Sequence, residues 1–161
     1  MLKGIDPVIS PELLKVLYEM GHGSEILFAD GNFPTHDYDV KKIVRLDGVG
    51  IPAILKAIIP FFPLDTFVDK PAILMQPNAD FGREPTVWNE YGKIIEEHQK
   101  IEYEYLERFK FYDRCKKVYA IVATSELEIY ANIILKKGVV FFSIINRILF
   151  FKNYKIKNVL Y

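Results

Sequence analysis

The sequence predicts an α/β domain with a mixed, mostly buried β-sheet that is covered by helices on both faces. Short apolar runs of strand length alternate with segments whose apolar residues recur at helical spacing. The chain has 161 residues, half of them apolar, which suffices for one domain with a substantial core. Because no repeat breaks the alternation, we expect one layered unit.

Capping residues and apolar spacing predict four helices. The first begins at Ser10, whose hydroxyl can accept hydrogen bonds from free amides, with Pro11 at the first helical position. Gly21 ends this helix. The other helices are predicted over residues 51–59, about 87–98, where Thr86 can cap, and about 107–117.

Compact apolar runs predict five strands, and residues 77–86, rich in Pro, Asn and Gly, predict a loop. The run at 119–124 is almost entirely apolar, which is typical of a central strand. The five predicted strands are residues 25–29, 42–46, 72–76, 119–124 and 130–135.

An imidazole and a carboxylate mark the two ends of the first predicted strand. His22 lies between Gly21 and Gly23, where the backbone can turn tightly, and an imidazole exchanges protons near neutral pH. Asp30 follows the strand at its carboxyl end, where α/β folds place ligands. Asp30 is interpreted either as a turn-capping carboxylate or as one that binds a polyhydroxy ligand or orients His22.

Two further polar pairs are candidates for the same site. Arg108 and Tyr112 are four residues apart on a predicted helix, so they share a face and can donate hydrogen bonds into one pocket. Tyr130 and Asn132 are two apart on a predicted strand, so both project to one side. A surface pair and a packed tyrosine beside an edge asparagine are the alternatives.

Charge and motifs exclude several classes of function. The formal net charge is zero, which gives no support for nucleic acid as a partner. The single cysteine, Cys115, excludes an intramolecular disulfide, and no paired-Cys or HExxH spacing predicts a metal. Dinucleotide, Walker and nucleophile-elbow motifs are also absent. With no apolar signal-peptide core at the N-terminus, we expect a cytoplasmic protein.

The C-terminal region is strongly apolar from Val139 to Phe151 and then becomes basic. Asn146 and Arg147 interrupt the apolar run, which is shorter than the roughly 20 residues that a membrane-spanning helix needs. We expect a docked terminal element, with a membrane-surface anchor as the alternative.

Four blocks, taken together and in this order, resemble the fucose mutarotase and ribose pyranase family, with the closer likeness to its fucose branch. The resemblance covers about residues 1–140. The blocks are Leu2-Lys3-Gly4-Ile5 through Leu14, Met20-Gly21-His22-Gly23 through Pro34, Arg108-Phe109-Lys110-Phe111-Tyr112-Asp113-Arg114, and Tyr130-Ala131-Asn132 through Val139.

The resemblance implies an isomerase that interconverts the anomers of a free monosaccharide without a metal or organic cofactor. It implies a histidine acid or base at His22 and sugar contacts at Asp30, Arg108, Tyr130 and Asn132. Asp65, Met75 and Tyr112 are weaker pocket candidates. We interpret Tyr130 as the complementary proton relay. Family members assemble into homo-oligomers with pockets near subunit contacts.

Four departures from the family pattern leave alternatives open. Ser24 replaces an acidic residue, Ala131 replaces a common glycine, a short polar insertion lies around His36-Asp37, and residues 141–161 have no recognised counterpart. The alternatives are a non-catalytic sugar-binding or regulatory module, a ribose-type pyranase, and a membrane-associated protein that acts through its tail. Neither the exact sugar nor the oligomer size follows from the sequence.

Overall fold

The computed structural model describes residues 2–141, so the predicted tail lies outside the described part apart from Phe141. Within that part, no helix is long and apolar enough to cross a membrane. The elements are α1 Pro11–Glu19, β1 Glu25–Ala29, β2 Ile43–Leu46, α2 Ile51–Ile58, β3 Ala72–Met75, α3 Val87–Glu96, β4 Tyr103–Leu106, α4 Arg108–Cys115, β5 Ala120–Thr124 and β6 Ile133–Lys136.

The six strands form one mixed sheet in the order β2-β5-β1-β6-β3-β4. The pairs β2–β5, β5–β1 and β3–β4 are parallel, whereas β6 runs antiparallel to both of its neighbours, β1 and β3. Each residue of β5 is buried, as expected for a strand inside the sheet. The predicted mixed α/β fold is confirmed.

Alternate strand residues divide the core between the two faces of the sheet. Ile26 and Phe28 pack with α1, α2 and α3 on one face, and Leu27 and Ala29 pack with α4 on the other. The second face is completed by the irregular segment 33–40. This alternation follows from the two-residue period of a strand, and it confirms that helices cover both faces.

One strand, β4, was not predicted, and another, β6, begins later than predicted. β4, Tyr103–Leu106, is an edge strand with polar and partly exposed side chains, so it lacks a continuous apolar run. β6 begins at Ile133 rather than at residue 130, because Tyr130 has a φ of 63° that no strand accommodates. The strand argument that placed Tyr130 and Asn132 on one side is therefore wrong.

Two helix ends also differ from expectation. The Ser10 hydroxyl accepts a hydrogen bond from the Leu13 amide as predicted, but α1 ends at Glu19, and the left-handed glycine of the following turn is Gly23. At α3 the predicted Thr86 side chain makes no capping bond. The Glu128 carboxylate instead accepts from the amides of residues 86 and 87.

Candidate active site

The His22 turn is fixed to the carboxyl end of β6. The Gly23 amide donates to the Lys137 carbonyl, and the Lys137 amide donates to the Ser24 carbonyl, both at 2.8 Å. The Lys137 ammonium group also donates to two carbonyls of the preceding helix and turn. Backbone pairing therefore places the imidazole at a defined position just outside the sheet.

Asp65 is brought to the same place by the same strand end. Its amide donates to the Lys136 carbonyl at 3.0 Å, and the Gly138 amide donates to the Pro63 carbonyl at 2.8 Å. A Cβ at Gly138 would lie 2.5 Å from the Leu64 carbonyl oxygen, so only glycine allows this close approach.

His22 and Asp65 form a direct pair. Nε2 of His22 lies 3.1 Å from Oδ1 of Asp65, and the imidazole is 49% exposed whereas the carboxylate is 3% exposed. The Phe67 ring meets the imidazole edge-on at a centroid distance of 5.3 Å. The exposed imidazole can therefore meet a ligand while a buried carboxylate fixes its orientation.

The Asp65 carboxylate is held in its charged form. Burial is the strongest influence and acts to raise its pKa, but the Phe67 amide and His22 together outweigh burial and lower the pKa. The charged, buried carboxylate can therefore hold the imidazole in one orientation.

At the other end of β1, Asp30 and Asn132 form a reciprocal pair. The Asp30 amide donates to Asn132 Oδ1 at 2.9 Å, and Asn132 Nδ2 donates to Asp30 Oδ2 at 2.6 Å. Both side chains are buried. Burial raises the pKa of Asp30, while the Asn32 amide and the Asn132 side chain counteract this rise. The alternative that Asp30 orients His22 does not hold within one chain, because Asp65 occupies that position.

Arg108 and Tyr112 lie beside this pair on one face of α4. The guanidinium carbon of Arg108 is 5.9 Å from the centre of the Tyr112 ring, as their spacing predicts. Burial raises the pKa of Tyr112, and Arg108 opposes this rise. Asp30 and Tyr130 raise the same pKa further, so both lie near the Tyr112 phenol. Within residues 2–141, the buried Nε of Arg108 has no hydrogen-bond partner.

Met75 and Tyr130 complete this end of the molecule. Met75 is buried in the core of the α4 face, and Tyr112 and Tyr130 are partly buried against the same cluster. The Phe81 ring lies 5.1 Å from the Tyr130 ring. A cavity of about 210 Å³ opens beside Asp30, and none of the other predicted site residues is among its lining residues.

The predicted site residues are thus divided between two clusters. We call His22 and Asp65 the imidazole cluster. After the role that the family resemblance implies for its members, we call the second set the hydroxyl-binding cluster: Asp30, Met75, Arg108, Tyr112, Tyr130 and Asn132. β1 separates them, and five residues at roughly 3.3 Å each amount to about 17 Å. One monosaccharide is too small to touch both clusters of the same chain.

Sequence reasoning found the members of both clusters but missed how they are held. Asp65 was a weak candidate, and nothing in Leu64-Asp65-Thr66 indicates its contact with His22. Trp88 and Tyr91 bind the carbonyl groups of Tyr130 and Ala131, and no local pattern in the sequence indicates these contacts. Within residues 2–141, no group of three or more His, Cys, Asp or Glu side chains is placed to hold a metal ion.

A mixed sheet with polar clusters at strand ends defines a small-molecule-binding α/β domain. A model of the RbsD / FucU transport protein family matches residues 3–140, and the chain belongs to this family. It is 46% identical to an L-fucose mutarotase of Haemophilus influenzae (strain PittGG), over 86% of this chain and 97% of that one.

Solved structures share the fold. The fucose mutarotase of Streptococcus pneumoniae in complex with L-fucose has a TM-score of 0.82 and 48% identity, covering 87% of this chain and all of that one. FucU from Bifidobacterium longum has a TM-score of 0.81 and 47% identity, with 86% and 100% coverage.

Proposed function

We propose that this protein is a mutarotase that interconverts the α and β anomers of L-fucose. Membership of the RbsD / FucU family and 46% identity to a protein named L-fucose mutarotase support this proposal. A structural relative at 48% identity was solved with L-fucose. The observation that carries the chemistry is the His22–Asp65 pair, an exposed imidazole 3.1 Å from a buried carboxylate.

Anomer exchange needs proton transfer and no change of oxidation state. The ring opens when its oxygen gains a proton and the anomeric hydroxyl loses one, and it recloses on the other face after rotation. We assign His22 as the general acid or base, which typically contributes about 10²–10⁴-fold. Asp65 orients the imidazole. Tyr130 is the proposed partner that carries the complementary proton.

The hydroxyl-binding cluster supplies the groups that hold the sugar. We propose that Asp30 and Asn132 bind hydroxyl groups of the sugar. Each side chain can form further hydrogen bonds in addition to those that join the two residues. Arg108 has a buried Nε without a partner among residues 2–141, so it offers an unused donor. Tyr112 adds a phenol, and Met75 adds an apolar wall.

Because the clusters lie at opposite ends of β1, we propose that one subunit's imidazole cluster completes the hydroxyl-binding cluster of a second subunit. Large exposed apolar side chains accompany both clusters, which supports self-association. Phe67 is 67% exposed beside His22, and Phe109 is 64% exposed beside Arg108.

Mixing two inactive variants tests the shared site. His22→Gln removes the acid or base, and Arg108→Met removes a sugar contact, so each variant alone should be inactive. If chains with different tags are refolded together, a random mixture of identical interfaces should regain about one quarter of the wild-type activity. No recovery in mixed oligomers would show that each site uses one chain, and purely monomeric protein would contradict the shared site.

Saturation-transfer NMR on L-fucose tests the activity itself, because it measures anomer exchange at equilibrium. We expect exchange above the spontaneous rate for the wild type, and loss of about 10²-fold or more in His22→Gln. The matched control is His98→Gln, an exposed histidine outside both clusters. Retained L-fucose binding without exchange would favour the non-catalytic module, and faster exchange of D-ribose would favour the ribose-type pyranase.

We also propose a cytoplasmic setting. The one cysteine, Cys115, is a buried free thiol, which suits a reducing compartment. Fractionation of the native host tests this location, and recovery of the protein in a membrane fraction would contradict it.

A further inference from the structure

Tyr130 has a backbone conformation that its side chain disfavours. Its φ of 63° is the only positive value for a non-glycine residue among residues 2–141. A bulky aromatic residue rarely adopts the left-handed region, and such strain persists only where neighbouring contacts impose it. The hydrogen bonds to the carbonyl groups at this bend come from one helix, α3.

Two aromatic side chains of α3 bind consecutive carbonyl groups at this bend. Nε1 of Trp88 donates to the Tyr130 carbonyl at 3.3 Å, and the Tyr91 hydroxyl donates to the Ala131 carbonyl at 2.8 Å. Trp88 is 9% exposed and Tyr91 is fully buried. Burial raises the pKa of Tyr91, so its hydroxyl remains a donor at every working pH.

The same helix is tied to the segment just before the bend. The Glu128 carboxylate accepts from the Thr86 and Val87 amides and from Arg83, at 2.6–3.0 Å. Residues 128, 130 and 131 are therefore all bound to α3 or to the residues that lead into it. A phenylalanine at position 91 would fill the same space in the core, so the hydroxyl group has a role other than packing.

We propose that Tyr91 and Trp88 are positioning residues for anomer exchange: they hold the strained backbone at Tyr130 so that its phenol points toward the bound sugar. This inference rests on the proposed mutarotase function. Neither residue touches the sugar; both act through Tyr130. An unconstrained backbone would relax toward negative φ and turn the phenol away from the reacting oxygen.

Tyr91→Phe is the direct test, with Tyr103→Phe as its matched control. Both tyrosines pack against the same core cluster, but the buried Tyr103 hydroxyl has no hydrogen-bond partner among residues 2–141. We expect Tyr91→Phe to lower kcat about 10-fold, because small misplacements of catalytic groups are costly, with a smaller change in KM. Tyr103→Phe should retain the wild-type kcat. Equal kcat values in Tyr91→Phe and wild type would refute the inference.

A double-mutant cycle separates positioning from general loss of structure. If Tyr91 acts through the phenol of residue 130, then Tyr91→Phe should change kcat less than about two-fold when Tyr130→Phe is already present. The same fold-loss in both backgrounds would identify a structural effect and overturn the inference. Residual kcat is measured by saturation-transfer NMR at matched concentrations of folded protein.

Two further outcomes are distinguishable. If Tyr91→Phe does not fold, Trp88→Phe takes its place in the cycle, since it removes the donor to the Tyr130 carbonyl. If the wild type shows no exchange of any sugar, the proposed function fails and the positioning role fails with it. An active wild type with unaffected Tyr91 and Trp88 variants refutes only the positioning role.

Discussion

Replacing Glu128 by glutamine should destabilise the protein by an amount that depends on pH. The side chain is 15% exposed. Burial acts most strongly and raises its pKa, but Arg83, Thr86 and Val87 donate hydrogen bonds that outweigh burial and lower the pKa from 4.5 to about 2. A glutamine side chain is uncharged, like the protonated carboxyl group. The substitution therefore removes the stabilisation that these three donors give to the charged carboxylate.

The size of the effect follows from the pKa difference. The pKa of Glu128 is about 2.5 lower in the folded protein, and each pKa unit corresponds to about 1.36 kcal/mol. The charged form therefore stabilises the folded state by about 3 kcal/mol at pH 7. Because the pKa is lower in the folded state, this stability is present above the unfolded pKa of Glu128 and is lost as the pH falls through the folded value. We expect Glu128→Gln to lower the free energy of unfolding by about 3 kcal/mol at pH 5 and by about 1.4 kcal/mol at pH 3.

Urea unfolding measures these free energies, with fluorescence of Trp88, the single tryptophan, as the signal. Protein concentration stays constant, because self-association adds to apparent stability. The matched control is Glu90→Gln on the exposed side of α3, which should change stability by less than about 0.5 kcal/mol. A Glu128→Gln penalty that is the same at pH 7 and pH 3 would refute the reasoning.

Three other perturbations have definite expected outcomes. Gly138→Ala should cost about 1–3 kcal/mol in urea unfolding, because its Cβ would lie 2.5 Å from the Leu64 carbonyl oxygen; unchanged stability would contradict this. Arg114→Met should cost about 2 kcal/mol after allowance for solvent screening, because it leaves the buried Glu25 carboxylate without its main partner, whereas Arg114→Lys should cost less. Burial raises the pKa of the Cys115 thiol to about 12, so Ellman's reagent at pH 8 should react only with unfolded protein; rapid labelling of native protein would disagree.

The sequence predicted well those elements whose burial leaves a local pattern in it. β1 and β5, with continuous apolar runs, and α1, α2 and α3, with apolar residues at helical spacing, have such a pattern. β4 does not, because an edge strand with partly exposed Tyr103 and Glu104 needs no apolar run. Its existence depends on pairing with β3, a long-range partner that no local pattern specifies.

For the site, residue identities were more predictable than residue contacts. The glycines around His22 and the turn after Asp30 are local signals, and Arg108 and Tyr112 follow from helical spacing. The contact of His22 with Asp65 spans 43 residues and depends on both segments meeting the end of β6. Tyr130 misled the strand argument because its positive φ has no local signal in the sequence, and its carbonyl is bound by Trp88 of α3, which is remote in sequence.

The antiparallel strand β6 has a consequence for the symmetry of any assembly. The hydroxyl-binding cluster lies at its amino end through Asn132, and the imidazole cluster lies at its carboxyl end through Lys137. If the amino end of β6 in one copy meets the carboxyl end of β6 in another, two kinds of assembly satisfy the contact. A two-fold pair does so when the two copies exchange ends, and a heterologous series does so when each copy contacts two different neighbours, closing into a ring only if the rotation between copies closes. In both cases each copy would contribute to two of the proposed sites.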